Sequence, residues 1–174
     1  LSNDIKNITI TINGFSKSFA MTGLRIGYSA SNKEIAKAIS TIQGHLVSHP
    51  SLTSQYIAYG ALKDCSDSIN DMVDIYRSRR NKVVDILNQC NKLNYVTPDG
   101  AFYTFIDLSM VKNNLNYTDS FSIEFCNKLL DEYEVAAVPG IAFGMDDYIR
   151  ISYACSESSF TEGLKRIIKL AESL

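Results

Sequence analysis

The chain has 174 residues, 45% of them hydrophobic and 21% charged, with a formal net charge of -2. That is enough apolar material to bury a core in one ordinary domain or two small ones, and it excludes a disordered chain. With no basic stripe and no apolar run of membrane-spanning length, neither nucleic acid nor a membrane is an expected partner.

The first element is predicted at Ile8-Thr9-Ile10-Thr11-Ile12, whose alternating β-branched residues read as a strand. Asn13 to Tyr28 follows, with Lys17 in a turn of small residues and Arg25 eight residues later. Ile26 to Ala30 reads as a second, short strand. A lysine at the end of a buried strand is costly to keep as a cation, so part of it becomes a free nucleophile. An amine of that kind suits Schiff-base chemistry with an aldehyde. The planar fork of Arg25 suits a phosphate. Together these residues describe a site for pyridoxal 5'-phosphate (PLP).

Ser31-Asn32 is an N-cap pair, and Ile35, Ile39, Ile42 and Leu46 recur at helical spacing after it. Gly44 is expected to end or loosen that helix. Val47 to Ser51 reads as a loop by its proline and polar residues, and a helix is predicted from Leu52 to Leu62. The longest helical pattern runs from Asp67 to Leu93, with Ile69, Met72, Val73, Tyr76, Val83, Val84 and Leu87 on one stripe. Its charged residues read as a solvated face.

Pro98-Asp99-Gly100 is a turn signal, and Ala101 to Leu108 a strand. A helix is expected from Ser120 to Glu132, with Phe121, Phe125, Leu129 and Leu130 inward. Val135 to Val138 reads as a strand stopped by Pro139-Gly140, and Tyr148 to Tyr153 as the last strand. Ser156 caps a final helix whose stripe is Phe160, Leu164, Ile167, Ile168 and Ala171. Three short strands interleaved with helices make a small α/β layer. Cys65, Cys90, Cys126 and Cys155 have no CxxC spacing and read as reduced thiols, three of them core fillers. His45 and His49 lie four apart without a metalloprotease glutamate between them, so no metal is expected.

The segment from Gly14 to Gly27 resembles the PLP-lysine signature of class I/II aminotransferases, which are fold-type I PLP enzymes. The match takes in Gly14, Ser16, Lys17, the Gly23-Leu24-Arg25 triplet and Gly27. Pro98 to Tyr103 also resembles that family, where the pattern opens the small domain's sheet. The resemblance implies that Lys17 forms the Schiff-base link to PLP and that Arg25 and Ser16 bind its phosphate. It implies an α/β fold made of the C-terminal part of the large PLP-binding domain (residues 1–66) and a long linking helix with the small C-terminal domain (67–174). In the family much of the large domain precedes the position of this lysine. The missing part would supply the aromatic that stacks on the ring, the Asp that pairs with the pyridine nitrogen and a Gly-rich phosphate turn. The chain is therefore expected to be an incomplete, inactive portion of a cytoplasmic homodimer. The loop around Ser48 and Pro50 would reach toward the partner's site.

Arg150 sits mid-strand, with Ile149 and Ile151 on one face and Tyr148, Arg150 and Ser152 on the other. The strand alone permits either a solvated arginine or a bidentate clamp on a carboxylate. Arg150-Ile151-Ser152-Tyr153-Ala154 resembles the family's C-terminal arginine motif, which implies that Arg150 holds the α-carboxylate of the substrate. The expected function is transfer of an amino group between an amino acid and a 2-oxo acid. A PLP-dependent C–S lyase, a cyclopropane-carboxylate synthase and a PLP-sensing transcription regulator are the alternatives.

Overall fold

In the computed structural model, which describes residues 2–174, the chain divides into two units, one up to Met72 and one from Val73 to Leu174. The division falls inside a helix, whereas the sequence reading places the change of domain near residue 66.

The first unit opens with a helix, α1 (Asn3–Ile8), where a strand was expected to begin. Two local hydrogen bonds outcompete the β-branched alternation. The Ser2 hydroxyl accepts from the Ile5 N–H at 3.4 Å, and the Thr9 hydroxyl donates to the Ile5 carbonyl at 2.6 Å. The strand β1 is therefore confined to Thr11–Gly14. It pairs antiparallel with β2 (Gly27–Ala30) in the register Thr11↔Ala30 to Gly14↔Gly27.

Helix α2 (Lys33–Val47) starts where the cap signal predicts, with the Asn32 side chain accepting from the Ile35 N–H at 2.9 Å. Gly44 does not end it. An interior glycine costs about 1 kcal/mol, too little to stop a helix whose neighbours continue it. The helix instead stops at Ser48, which takes a left-handed φ of 63°. Helix α3 (Leu52–Asp64) buries Ala58 and Ala61, and the Ser54 hydroxyl donates to the Leu24 carbonyl at 2.9 Å.

Helix α4 (Ser66–Leu87) crosses from the first unit into the second. It ends six residues short of the expected Leu93, because Gln89 and Cys90 turn tightly and donate to the Ile86 and Leu87 carbonyls, each at 3.1 Å. The second unit then builds an antiparallel sheet in the order β3-β4-β6-β5. Its strands are β3 (Asn94–Tyr95), β4 (Tyr103–Asp107), β5 (Val138–Pro139) and β6 (Tyr148–Ser152). The sheet has four strands rather than three. β3 is too short to show a period, and β5 lies later than the expected 135–138 stretch and takes in Pro139. Proline is tolerated there because β5 is an edge strand.

Thr104, Ile106, Ile149 and Ile151 face inward from β4 and β6. They share one core with Phe121, Phe125 and Leu129 of α5 (Phe121–Tyr133) and Phe160, Leu164, Ile167, Leu170 and Ala171 of α6 (Glu157–Ser173). Each fully buried Leu, Ile or Phe contributes about 1.5–3 kcal/mol. Leu130, expected inward, is exposed, and Cys126 fills the inner position instead. Two cysteines are core residues, not three: Cys90 and Cys126 are buried, Cys65 is only half-buried and Cys155 is exposed. Burial pushes the Cys126 thiol up to about 11, which keeps it a neutral packing residue.

Asp146 ties the sheet to α5. Burial alone would raise its pKa, but four hydrogen bonds outweigh that and hold the carboxyl at about 2. They come from the Ser120 and Ser122 hydroxyls and from the Phe121 and Ser122 N–H groups at the start of α5. A carboxylate there also meets the positive end of the helix dipole. Asp146→Asn is expected to lower stability by about 1–3 kcal/mol near neutral pH. Because the folded pKa lies below the ordinary value of 3.8, the contribution is complete above that value and disappears as pH falls through about 2. Denaturant melts of parent and variant should therefore differ most above pH 4 and converge toward pH 2. A gap independent of pH would refute the assignment.

Candidate active site

The loop from Phe15 to Ile26 joins β1 to β2 and carries the first set of site residues. Phe15 is its anchor, 3% exposed, with the rings of Phe19 and Tyr28 centred 5.4 and 5.7 Å from its own. The Phe15 carbonyl accepts from the Phe19 and Met21 N–H groups at 3.2 and 3.4 Å, and the Lys17 carbonyl accepts from Ala20 at 3.2 Å. These bonds wind Ser16 to Phe19 into a tight turn, leaving Ser16 half-buried and Lys17 exposed. Ala20 and Arg25 both take left-handed backbone, with φ of 53° and 50°.

Gly27 closes the hairpin. A Cβ there would lie 2.8 Å from the Asn13 carbonyl oxygen, so a side chain would part the strands. The Phe15 N–H donates to the Ile26 carbonyl at 3.3 Å, so Lys17 and Arg25 leave the same end of the hairpin. The Arg25 guanidinium donates back to the Thr22 carbonyl at 3.0 Å, which orients it. The desolvated amine expected at Lys17 is not what this chain provides. β1 and β2 are exposed along their whole length, with Ile12 at 81%. Alternation identifies the faces of a strand but not what covers them.

In the second unit β6 alternates as expected. Ile149 and Ile151 are buried, and Tyr148, Arg150 and Ser152 face away from the core. The Arg150 guanidinium carbon lies 4.3 Å from the centre of the Tyr103 ring and 4.6 Å from that of Phe143. Phe105, directly opposite Arg150 in the sheet, stacks on Tyr148 at 4.8 Å and meets Phe143 edge-on at 5.9 Å. This aromatic surround is absent from the sequence reading. Its signal was available in part, since Tyr103, Phe105 and Tyr148 occupy alternate strand positions on the face that carries Arg150. Among the described residues no carboxylate pairs with Arg150.

His45 lies in the last turn of α2, and His49 Nδ1 is 2.8 Å from the Pro50 carbonyl oxygen. Among the described residues no group of His, Cys, Asp and Glu is arranged to hold a metal ion. No helix is long and apolar enough to cross a membrane. The donor set on the hairpin fits a phosphorylated aldehyde. The loop carries one amine for a carbonyl carbon, and a guanidinium and a hydroxyl of the kinds that bind a dianion.

Comparison with known proteins gives a consistent answer. The family described as aminotransferase class I and II matches residues 1–167. A probable aspartate/prephenate aminotransferase from Aquifex aeolicus (strain VF5) is 42% identical over 99% of this chain and 43% of its own length. An aspartate aminotransferase from Rhizobium meliloti (strain 1021) is 39% identical over 98% of this chain and 42% of its own. The crystal structure of the Rhizobium meliloti aspartate aminotransferase superposes with a TM-score of 0.87 at 38% identity, covering 98% of this chain and 44% of that one. An aromatic aminotransferase structure from Pyrococcus horikoshii gives 0.84 at 36% identity, covering 99% and 45%. The chain thus spans less than half the length of the relatives it matches.

Proposed function

This chain belongs to the class I and II aminotransferases, a PLP-dependent family with the fold-type I architecture, and from that premise we propose that it forms part of an enzyme moving an amino group between an amino acid and a 2-oxo acid. The observation that supports the reading is that Ser16, Lys17 and Arg25 all lie on the loop joining β1 to β2, at one end of the hairpin. Residues 1–66 then belong to the large cofactor-binding domain, and residues 67–174 form the linking helix and small domain.

When bound, PLP withdraws electrons from the bonds at the substrate's α-carbon. Lys17 Nζ would hold the cofactor through its aldehyde carbon. The Lys17 amine would also hold and move the proton at the substrate α-carbon. Arg25 and the Ser16 hydroxyl would hold the cofactor's phosphate. Arg150 takes the substrate carboxylate in its planar fork, which fixes the α-carbon for proton transfer. The full-length enzyme acts as a homodimer. The chain by itself is expected to be inactive, in keeping with the exposure of Lys17 and Arg25.

Borohydride trapping in the presence of PLP, followed by peptide mapping, tests this on the full-length protein. A pyridoxyl adduct on Lys17, with conversion of a 2-oxo acid to its amino acid and no release of ammonia, is the expected result. Absence of the adduct from Lys17 overturns the cofactor assignment, and ammonia with pyruvate as products replaces transfer by elimination. Ordinary turnover by residues 1–174 alone would refute the expectation that the chain is incomplete.

A further inference from the structure

We propose that Tyr103 and Phe143 are positioning residues for Arg150, holding its guanidinium so that the in-plane N–H groups stay available for a substrate carboxylate. This rests on the reading of Arg150 as the carboxylate-binding residue. A binding arginine needs its donors aimed, and proteins often aim them with an acidic partner. Such a partner would compete with the incoming carboxylate. Among the described residues Arg150 has no acidic partner. It has instead two ring faces at 4.3 and 4.6 Å. A ring over the guanidinium plane attracts the cation through its quadrupole and occupies none of the N–H donors, which point along the edges. The side chain's freedom is thus restricted before the ligand arrives, and less entropy is lost on binding.

Both rings are held by the scaffold. Tyr103 lies on β4, where it pairs with Ser152, two residues along β6 from Arg150. Phe143 ends a short 3-10 turn, Gly140–Phe143, whose Ile141 N–H donates to the Ser122 hydroxyl at 3.2 Å. Gly144 follows with φ 79° and donates to the Ile141 carbonyl at 3.0 Å. The edge-on contact with Phe105 steadies the Phe143 ring further.

The test is a double-mutant cycle in the full-length enzyme, with KM for the 2-oxo acid and kcat measured separately. Phe143→Leu is expected to raise KM about five- to thirtyfold with kcat nearly unchanged. Phe143→Tyr, which keeps the ring face, should restore the parental value, and Tyr103→Leu should behave like Phe143→Leu. In an Arg150→Gln background Phe143→Leu should add almost nothing, because the cation it positions is gone. If Arg150→Gln raises KM but Phe143→Leu leaves it unchanged, or if the two effects multiply, the positioning role is wrong and the Arg150 reading survives. If Arg150→Gln itself leaves KM unchanged, both readings fail.

Discussion

Replacing Lys17 by alanine is expected to reduce amino-group transfer by the full-length enzyme roughly ten-thousandfold, the upper range for loss of a positioned acid–base group. On the proposed role of Lys17, three losses combine in one side chain. The covalent hold on the aldehyde carbon goes, the base that takes the α-proton goes, and so does the acid that returns it. Arg25 and Ser16 remain, so cofactor binding should weaken without vanishing. Lys17→Arg is the sharper control. It keeps charge and reach, but a guanidinium does not give up its proton in a protein and so cannot serve as nucleophile or base. It should be as inactive as the alanine variant. Neither change should disturb folding, because the Lys17 side chain is exposed and the turn is wound by bonds to the Phe15 and Lys17 carbonyls. Stability should stay within about 0.5 kcal/mol of the parent. Activity within tenfold of the parent in Lys17→Ala, with the fold intact by circular dichroism, would remove Lys17 from the chemistry.

The turn that carries Lys17 was legible in the sequence because its signals are local. The proposed nucleophile, the proposed phosphate-binding arginine and the glycines that shape the turn all lie between Gly14 and Gly27. Caps were legible for the same reason, since Asn32 and Ser156 each accept from an N–H three residues on. Misreadings arose where a second local rule competed or where the partner was distant. Ile8 obeys strand alternation, yet Ser2 and Thr9 draw it into α1. Asp146 drew no reading from the sequence, because the serines that hold it lie 24 and 26 residues away. Phe143 is not among the expected site residues, because its place over Arg150 depends on the pairing of β4, β5 and β6, which no window of sequence contains.

Gly140→Ala is the substitution expected to damage the second unit most. Gly140 is buried, and a Cβ placed on it would stand 2.2 Å from the Met145 carbonyl oxygen and 2.4 Å from that of Tyr148. Both obstacles are backbone atoms with their own duties. The Met145 oxygen accepts from the Tyr148 N–H at 3.1 Å, and the Met145 N–H donates to the Gly140 carbonyl at 3.0 Å. No flexible side chain can swing aside, so the turn and the start of β6 must separate. Overpacking of this kind costs about 3 kcal/mol, enough to lower the melting temperature of a domain this size by roughly 10 °C or more. The damage should not stop at stability. Phe143 lies three residues beyond Gly140 and Arg150 two beyond Tyr148, so parting these segments moves a ring away from the cation it covers. Gly140→Ala should therefore raise KM for the 2-oxo acid even well below its melting transition, whereas Phe143→Leu should raise KM with a much smaller loss of stability. A Gly140→Ala variant that melts within about 1 kcal/mol of the parent would show that the turn opens easily. A cation-positioning surface built on such a turn would then lose its rigid support.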